Sequence, residues 1–331
     1  MTSPEPQSGI GLEQVREAAG RIAGQAHRTP VVTCAALDRR AGCRLFFKCE
    51  SLQKGGAFKF RGACNAVAQL PADRAVRGVV THSSGNFAQA LALAARLRGI
   101  DAHLVMPRDA SAIKRRAVEG YGGRVVLCEP TLAARETTAE MVLAETGGTF
   151  IHPYDDPAII AGQGTVALEL LEQVPDLDAM IAPVGGGGLI AGICIAAHAL
   201  APRLRVLGAE PAGADDAARS LAAGRLIPQA DPRTVADGLL TSLGQLTWPI
   251  IREHVAHVVT VEDPETIEAM RRVWTRAKLV IEPSAAVAVA AAMRPGVAER
   301  CGAQGAAGVA GGARVGVVLS GGNVDLDHLP W

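Results

Sequence analysis

Lys59 lies in SLQKGGAFKFRG (Ser51–Gly62), between Phe58 and Phe60 and just after the pair Gly55–Gly56; the stretch holds no acid to pair with it. An ammonium group in apolar surroundings loses hydration, its pKa falls, and the neutral amine becomes a nucleophile toward a carbonyl. Downstream, Ser83, Ser84, Gly85 and Asn86 stand where GVVTH gives way to NFAQALALAARLRG. The free N–H groups and positive dipole end of a helix starting there suit a carboxylate or a phosphate, although an N-cap followed by a turn glycine explains the same residues. The quartet Gly185, Gly186, Gly187 and Gly188 separates AMIAPV from LIAGICIAAHAL. Four glycines strip a helix entrance of side chains, so several amides converge on one phosphate. No Lys-Ser/Thr follows them, so this is not a nucleoside-triphosphate loop. Ser320 ends RVGVVLS ahead of GGNVD and sets a neutral hydroxyl at a third strand end, where an ordinary turn serine is the plainer explanation. Together, one apolar-set amine, two anion cradles and a neutral hydroxyl suit a phosphorylated aldehyde joined covalently to the lysine, with the glycines on its phosphate and the serine loop on a substrate carboxylate.

A rival reading of the glycine quartet stays open on local pattern. Gly186, Gly188 and Ala191 satisfy G-x-G-x-x-A, and Glu210 follows at about the spacing of a ribose-binding acid. A dinucleotide-dependent oxidoreductase would use them so, but that unit opens near residue 179 and leaves Lys59 and the SSGN loop without a task. A non-catalytic sensor of a phosphate ligand is the alternative outside enzymes.

The elements that must position these residues alternate from residue 78 onward. Strands GVVTH, AHLVMP, RVVLCE, AMIAPV, RVLGAEP and RVGVVLS are interleaved with alanine-rich amphipathic segments, among them IAGQGTVALELLEQV. Near-continuous apolar strands in repeated βα units predict parallel sheets covered on both faces, with ligands beyond the carboxyl ends of the strands. Asp263 is expected to cap a helix whose first residue is Pro264. A smaller lobe is placed at residues 70–152 and a larger one at 1–69 plus 153–331, with a cleft between them. The stretch Gly302–Arg314 reads as a Gly/Ala connector.

Composition narrows the partners. The chain has 331 residues, 49% of them hydrophobic, enough for a large interior and against intrinsic disorder. Basic and acidic residues number 33 each and aromatics are 3%, so neither charge nor stacking surface points to nucleic acid. Lys114–Arg116 reads as a solvated helix face. Seven scattered cysteines without CxxC suit a reduced cytoplasmic protein. The first residues show neither the basic nor the apolar part of a secretory leader, and no apolar run reaches the roughly 20 residues of a membrane span. The eight histidines lack zinc-site spacing.

The segments SLQKGGAFKFRGACNAV, VVTHSSGNFAQAL, DPAIIAGQGT, PVGGGGLIAG, AEPAGADD, TWPII, IEPSAAVAVAA and LSGGNVDL occur in that order. As a set, over about residues 12 to 329, they resemble the fold-type II pyridoxal-phosphate enzymes, specifically the serine racemase and serine/threonine dehydratase group. The resemblance implies an α/β fold of two open parallel twisted sheets with flanking helices, like the tryptophan synthase β chain, with the cofactor in the interdomain cleft. It implies a likeness closer to serine racemase and catabolic dehydratases than to cysteine synthase.

Carried over by motif, Lys59 would bind pyridoxal 5'-phosphate covalently and act as base at the substrate Cα. Phe58 would pack on the cofactor ring, Asn86 would hydrogen-bond its phenolic oxygen, Gly185–Gly188 would hold its phosphate and Ser320 would meet its ring nitrogen. Ser83, Ser84, Gly85 and Asn86, with Arg135 and Ser242, would face the substrate carboxylate. Ser84 would stand across Cα from the lysine, where it can return a proton and invert the centre. Glu210, the carbonyl of Ala214 and Asp216 would ligate Mg²⁺ or Ca²⁺; without the resemblance they read as a strand-end acid and a helix N-cap. A homodimer is implied, and isoleucine feedback through a regulatory domain after LSGGNVDL is not expected.

The implied activity is β-elimination from L-threonine or L-serine to a 2-oxo acid and ammonia. Serine racemisation is the nearest alternative, followed by dehydration of another β-hydroxy amino acid such as 3-hydroxyaspartate or 3-phenylserine. Two departures bear on that choice. Phe87 stands where relatives commonly have histidine, which favours a larger or less polar β-substituent, and Tyr154 replaces an asparagine near the substrate mouth.

Overall fold

A computed structural model describes residues 9–83, 85–302 and 312–331. Its strands are β1 (Val31–Val32), β2 (Arg44–Lys48), β3 (Val79–His82), β4 (Ala102–Pro107), β5 (Arg124–Cys128), β6 (Thr149–Phe150), β7 (Ala179–Pro183), β8 (Arg205–Pro211), β9 (Val255–Val261) and β10 (Arg314–Val318). They form two sheets, in the orders β5-β4-β3-β6 and β1-β2-β10-β7-β8-β9. Every pairing is parallel except that of β1 with β2.

The apolar strand sequences follow from covering both faces. Every residue of β7 is buried. On one face of the larger sheet Ile181, Leu207 and Val317 pack with the helix Pro283–Ala292. On the other, Met180, Val206 and Val318 pack with the helices Pro157–Gln173 and Gly188–Leu200. The smaller sheet buries Val79, Leu104 and Met106 against the helices Lys59–Gln69 and Asn86–Arg98.

Two glycine contacts set how the site-bearing helices lie. A Cβ on Gly162 would come within 2.6 Å of Gly62 Cα, and one on Gly192 within 2.5 Å of the Gly164 nitrogen. The helix begun by Lys59 is thus pressed against Pro157–Gln173, and that helix against the one begun by Gly188. Side chains at these crossings would move the lysine away from the glycine quartet.

Three sequence expectations need correction. The alternation starts before residue 78, since RLFFK forms β2, paired with β10; VAHVVTV likewise forms the unexpected edge strand β9. Asp263 does not cap: the helix runs Asp263–Arg272, Glu262 forms the capping box with Glu265, and the Asp263 carboxylate accepts from Thr234 Oγ1 (2.5 Å) and Val235 N (3.0 Å). A carboxylate with two donors elsewhere has no reason to bond its own first turn. Finally, Lys114 is not on a solvated face. In the helix Ala112–Gly120 it is buried together with Val118, one turn on, and only Arg116 of the basic run is exposed. The greater part of Gly302–Arg314 lies outside the described residues.

Candidate active site

The carboxyl ends of β3, β7 and β10 open on one cavity of about 500 Å³. Phe58, Lys59, Ser83, Gly85, Asn86, Phe87, Arg135, the four glycines Gly185–Gly188, Ser242 and Ser320 all line it. These are all of the expected cofactor and substrate residues except Ser84, which lies outside the described residues. Residues far apart in the chain meet because strands of both sheets end at the same cleft, as open parallel sheets arrange their ligand sites.

Lys59 opens its helix, and a bridge between Ala57 and Gly321 fastens its loop to the end of β10, with Phe58 N donating to Ser320 O at 3.0 Å. Its Nζ donates to Pro153 O at 2.8 Å and stands 5.2 to 5.9 Å from the ring centres of Phe58, Phe87 and Tyr154. No carboxylate is paired with it among the described residues. Burial without a counter-charge lowers its pKa from 10.5 to about 8, so a usable share of the amine is neutral near physiological pH.

Gly187 takes a left-handed conformation (φ +89°) at the entrance of the helix Gly188–Leu200, and a Cβ on Gly186 would strike the Tyr154 ring at 2.2 Å. The amides of Gly185, Gly186 and Gly187 donate to no protein acceptor among the described residues, although Gly186 and Gly187 are buried. Buried N–H groups without acceptors are costly. Converging at a helix start, they form an anion receptor, and the quartet fits a phosphate.

Thr247 and Asp155, whose roles no local chemistry in the sequence marks, support this loop. Thr247 Oγ1 donates to Gly186 O (2.9 Å) and accepts from Gly244 N (2.9 Å). The Asp155 carboxylate accepts from the amides of Gln245 (2.9 Å), Leu246 (2.9 Å) and Thr247 (3.2 Å). Burial pushes the Tyr154 phenol up to about 12; the Asp155 carboxylate adds to the rise and Thr241 opposes it. His152 falls to about 4, chiefly by burial; its Nδ1 accepts from Asp155 N at 2.8 Å.

The opposite wall carries charge. Lys114 pairs with Asp237, joining an element of the smaller sheet to the larger one. His82 and Arg135 also line the cavity, and neither has a carboxylate partner among the described residues. Ser242 is turned to structure, its Oγ accepting from Gln229 N at 2.9 Å. Glu210, Ala214 and Asp216 lie apart from this cavity. Glu210 accepts from the amides of Ala217 (3.0 Å) and Ala218 (2.9 Å), and Asp216 Oδ2 from Leu243 N (2.8 Å). Burial raises Glu210 to about 8 and Asp216 to about 6. Among the described residues no cluster of three or more His, Cys, Asp or Glu side chains forms a metal site.

A desolvated lysine amine beside a phosphate receptor is the arrangement that a phosphorylated aldehyde cofactor requires. The sequence profile of the family described as pyridoxal-phosphate dependent enzyme matches residues 22–321. The chain belongs to that family. It is 50% identical over 315 residues to the serine racemase of Arabidopsis thaliana, covering 95% of this chain and 93% of the relative. It is 49% identical over 319 residues to the beta-hydroxyaspartate dehydratase of Paracoccus denitrificans, covering 96% and 98%. The structure of maize serine racemase superposes with a TM-score of 0.91 at 46% identity, covering 96% and 95%. Membership of this family of pyridoxal-phosphate enzymes removes the dinucleotide reading of Gly186, Gly188, Ala191 and Glu210, and the sensor reading with it.

Proposed function

We propose that the chain is an ammonia-lyase that converts L-threonine or L-serine to the 2-oxo acid and ammonia. The observation that carries this is the desolvated Lys59 amine, with its pKa near 8, in the cavity that also holds the free amides of the glycine quartet. When bound, the cofactor supplies the electron sink that acidifies the substrate Cα–H. Lys59 takes that proton as base. The amides of Gly185–Gly188 would hold the phosphate, Phe58 would flank the ring, and Asn86 would face its phenolic oxygen. Ser320 would offer the ring nitrogen a neutral hydroxyl, which would weaken the sink and favour loss of a β-substituent over transamination. Ser83, Gly85 and Asn86, at the start of a helix, bind the substrate carboxylate, with Arg135 and Ser242 beside them; Phe87 borders the β-substituent. Loss of the β-hydroxyl as water and hydrolysis of the released enamine give the 2-oxo acid and ammonia.

A second reading is favoured by Arg135 and His82, cavity-lining groups without an acidic partner. They suit a substrate with a second carboxylate, 3-hydroxyaspartate, and the dehydratase relative points the same way. Serine racemisation, with Ser84 returning the proton, is the remaining alternative. Incubating the loaded enzyme separately with L-serine, L-threonine, 3-hydroxyaspartate and 3-phenylserine, then assaying 2-oxo acid and D-amino acid, ranks these activities. Lyase activity on L-threonine or L-serine, lost in Lys59→Ala, is the expected result. No 2-oxo acid from either would remove the first reading.

Asp216 Oδ1 is buried without a partner among the described residues, so Glu210, Asp216 and the Ala214 carbonyl fit a divalent cation such as Mg²⁺ or Ca²⁺ that would relieve two desolvated acids. We assign residues 70–152 to the small lobe and 1–69 with 153–331 to the large one. A cytoplasmic homodimer completes the proposal. Seven free cysteines suit a reducing compartment, and no described helix is long and apolar enough to cross a membrane.

A further inference from the structure

Glu282 immediately precedes the helix Pro283–Ala292, a position from which an acidic side chain usually accepts hydrogen bonds from the first-turn amides. It makes no such bond. Its carboxylate turns instead into the cavity, with the residue only 2% exposed. Oε1 accepts from Asn86 Nδ2 at 2.6 Å, while Oε2 is buried and has no partner among the described residues. Gly321 leaves the room for this: a Cβ there would stand 2.3 Å from Oε1.

The Asn86 amide is held from its other end as well. Asn323 Nδ2 donates to Asn86 Oδ1 at 3.0 Å and to Gly55 O at 2.7 Å. With Oδ1 accepting, the nitrogen must be the end that faces Glu282, and a carboxylate, which only accepts, enforces the same orientation. An amide nitrogen has two hydrogens. One goes to Glu282, and the other remains for a group in the cavity that Asn86 lines.

We infer that Glu282 is a positioning residue whose carboxylate, with Asn323, locks the Asn86 amide so that its second N–H meets the phenolic oxygen of the bound cofactor. This rests on the cofactor reading given above. A charge-assisted bond is about twice as strong as a neutral one, so the carboxylate holds the amide more firmly than glutamine would. The charged groups facing Glu282 are Lys114 and Asp237, on two different elements. Burial raises the acid to about 7; Lys114 opposes that rise and Asp237 adds to it. The lock therefore weakens as pH falls through neutrality.

The test uses cofactor-stripped wild type, Glu282→Gln, Asn323→Ala, Asn86→Ala and Glu282→Gln/Asn86→Ala, each titrated with pyridoxal 5'-phosphate. Affinity and the absorbance of the bound cofactor are followed from pH 6 to 8.5. Glu282→Gln should weaken binding about tenfold, the equivalent of one charge-assisted hydrogen bond, and abolish an inflection near pH 7 in the wild-type absorbance. Asn323→Ala should act in the same direction, and Glu282→Gln should add nothing once Asn86 is alanine. Stripped Glu282→Gln should melt no lower than wild type, since it removes a buried charge. Wild-type affinity and pH profile in Glu282→Gln would overturn the inference, as would full additivity with Asn86→Ala. A wild type that binds no cofactor would overturn the cofactor reading itself, and the two failures differ in whether the wild-type protein colours.

Discussion

Replacing Lys59 by methionine in the cofactor-free protein probes the property on which the site depends. Methionine keeps most of the apolar stem and removes the charge. In the folded chain the ammonium has one hydrogen bond, to Pro153 O, and three rings around it, and its pKa drops from 10.5 to about 8. At about 1.4 kcal/mol per pH unit, keeping that lysine charged in the fold costs about 3 kcal/mol. Because the folded pKa is the lower, the unfolded chain binds more protons between about pH 8 and 10.5, and stability rises with pH across that window. The penalty is complete below pH 8 and fades toward pH 10.5. Urea unfolding of stripped wild type and Lys59→Met at pH 7, 8.5 and 10 measures it. The variant should be the more stable at pH 7, by up to about 3 kcal/mol, and the gap should close as pH rises. Other groups titrating in this range cancel in the difference. Parallel stability curves for the two proteins would refute the claim that the amine is desolvated.

Three further outcomes follow from the same geometry. Gly186→Ala drives a methyl into the Tyr154 ring, so cofactor affinity read by absorbance should fall at least about tenfold, with partial recovery when Tyr154 is also alanine. Thr247→Val keeps the shape but removes the hydroxyl between Gly186 O and Gly244 N, leaving them only their direct bond of 3.2 Å, and should cost about 1 kcal/mol in urea unfolding; Thr247→Ser should restore most of it. Arg61→Leu leaves Glu50, fully buried and bonded to Arg61 at 2.7 Å, without its counter-charge, and should cost about 3–5 kcal/mol in the same assay.

The parts of the site that were legible in the sequence are those whose chemistry is local. Lys59 between aromatic residues, four glycines between a strand and a helix, and a serine at a strand end each carry their meaning within a dozen residues. Lys114 and Glu282 do not. The first sits in a basic run that reads as solvated, and only the turn that also buries Val118 brings it to Asp237, 123 residues on. The second meets Asn86 across 196 residues, from a helix-flanking position whose ordinary use is capping. The same limit hid β2 and β9. β2 lies well ahead of residue 78, where the regular strand–helix pattern of the sequence becomes plain, and its neighbour β10 comes from the far end of the chain. The edge strand β9 exposes Ala256 and His257, which breaks the apolar run that marked the central strands.

Lys59 and Arg61 show how one helix sets two basic groups to opposite uses. Successive helical residues are about 100° apart, so side chains two positions on point to nearly opposite sides. Arg61 enters a buried network in which Glu50 and Glu169 accept from its guanidinium and Lys48 binds Glu169 at 2.6 Å. Burial alone would lower its pKa, but the two acids outweigh that and hold it charged. Lys59, turned the other way, meets rings and a carbonyl and no acid. Because the ion network fixes the rotation of the helix, it also fixes which way Lys59 faces. If that is so, a conservative change such as Arg61→Lys, which keeps the charge but not the forked contacts, should loosen the rotation and move the Lys59 pKa back toward 10.5. The pH above which the stability gap between wild type and its Lys59→Met counterpart begins to close reads that pKa, about 8 in the wild-type background. In the Arg61→Lys background the gap should be smaller and should begin to close at a higher pH, although residue 61 lies on the far side of the helix from the cleft.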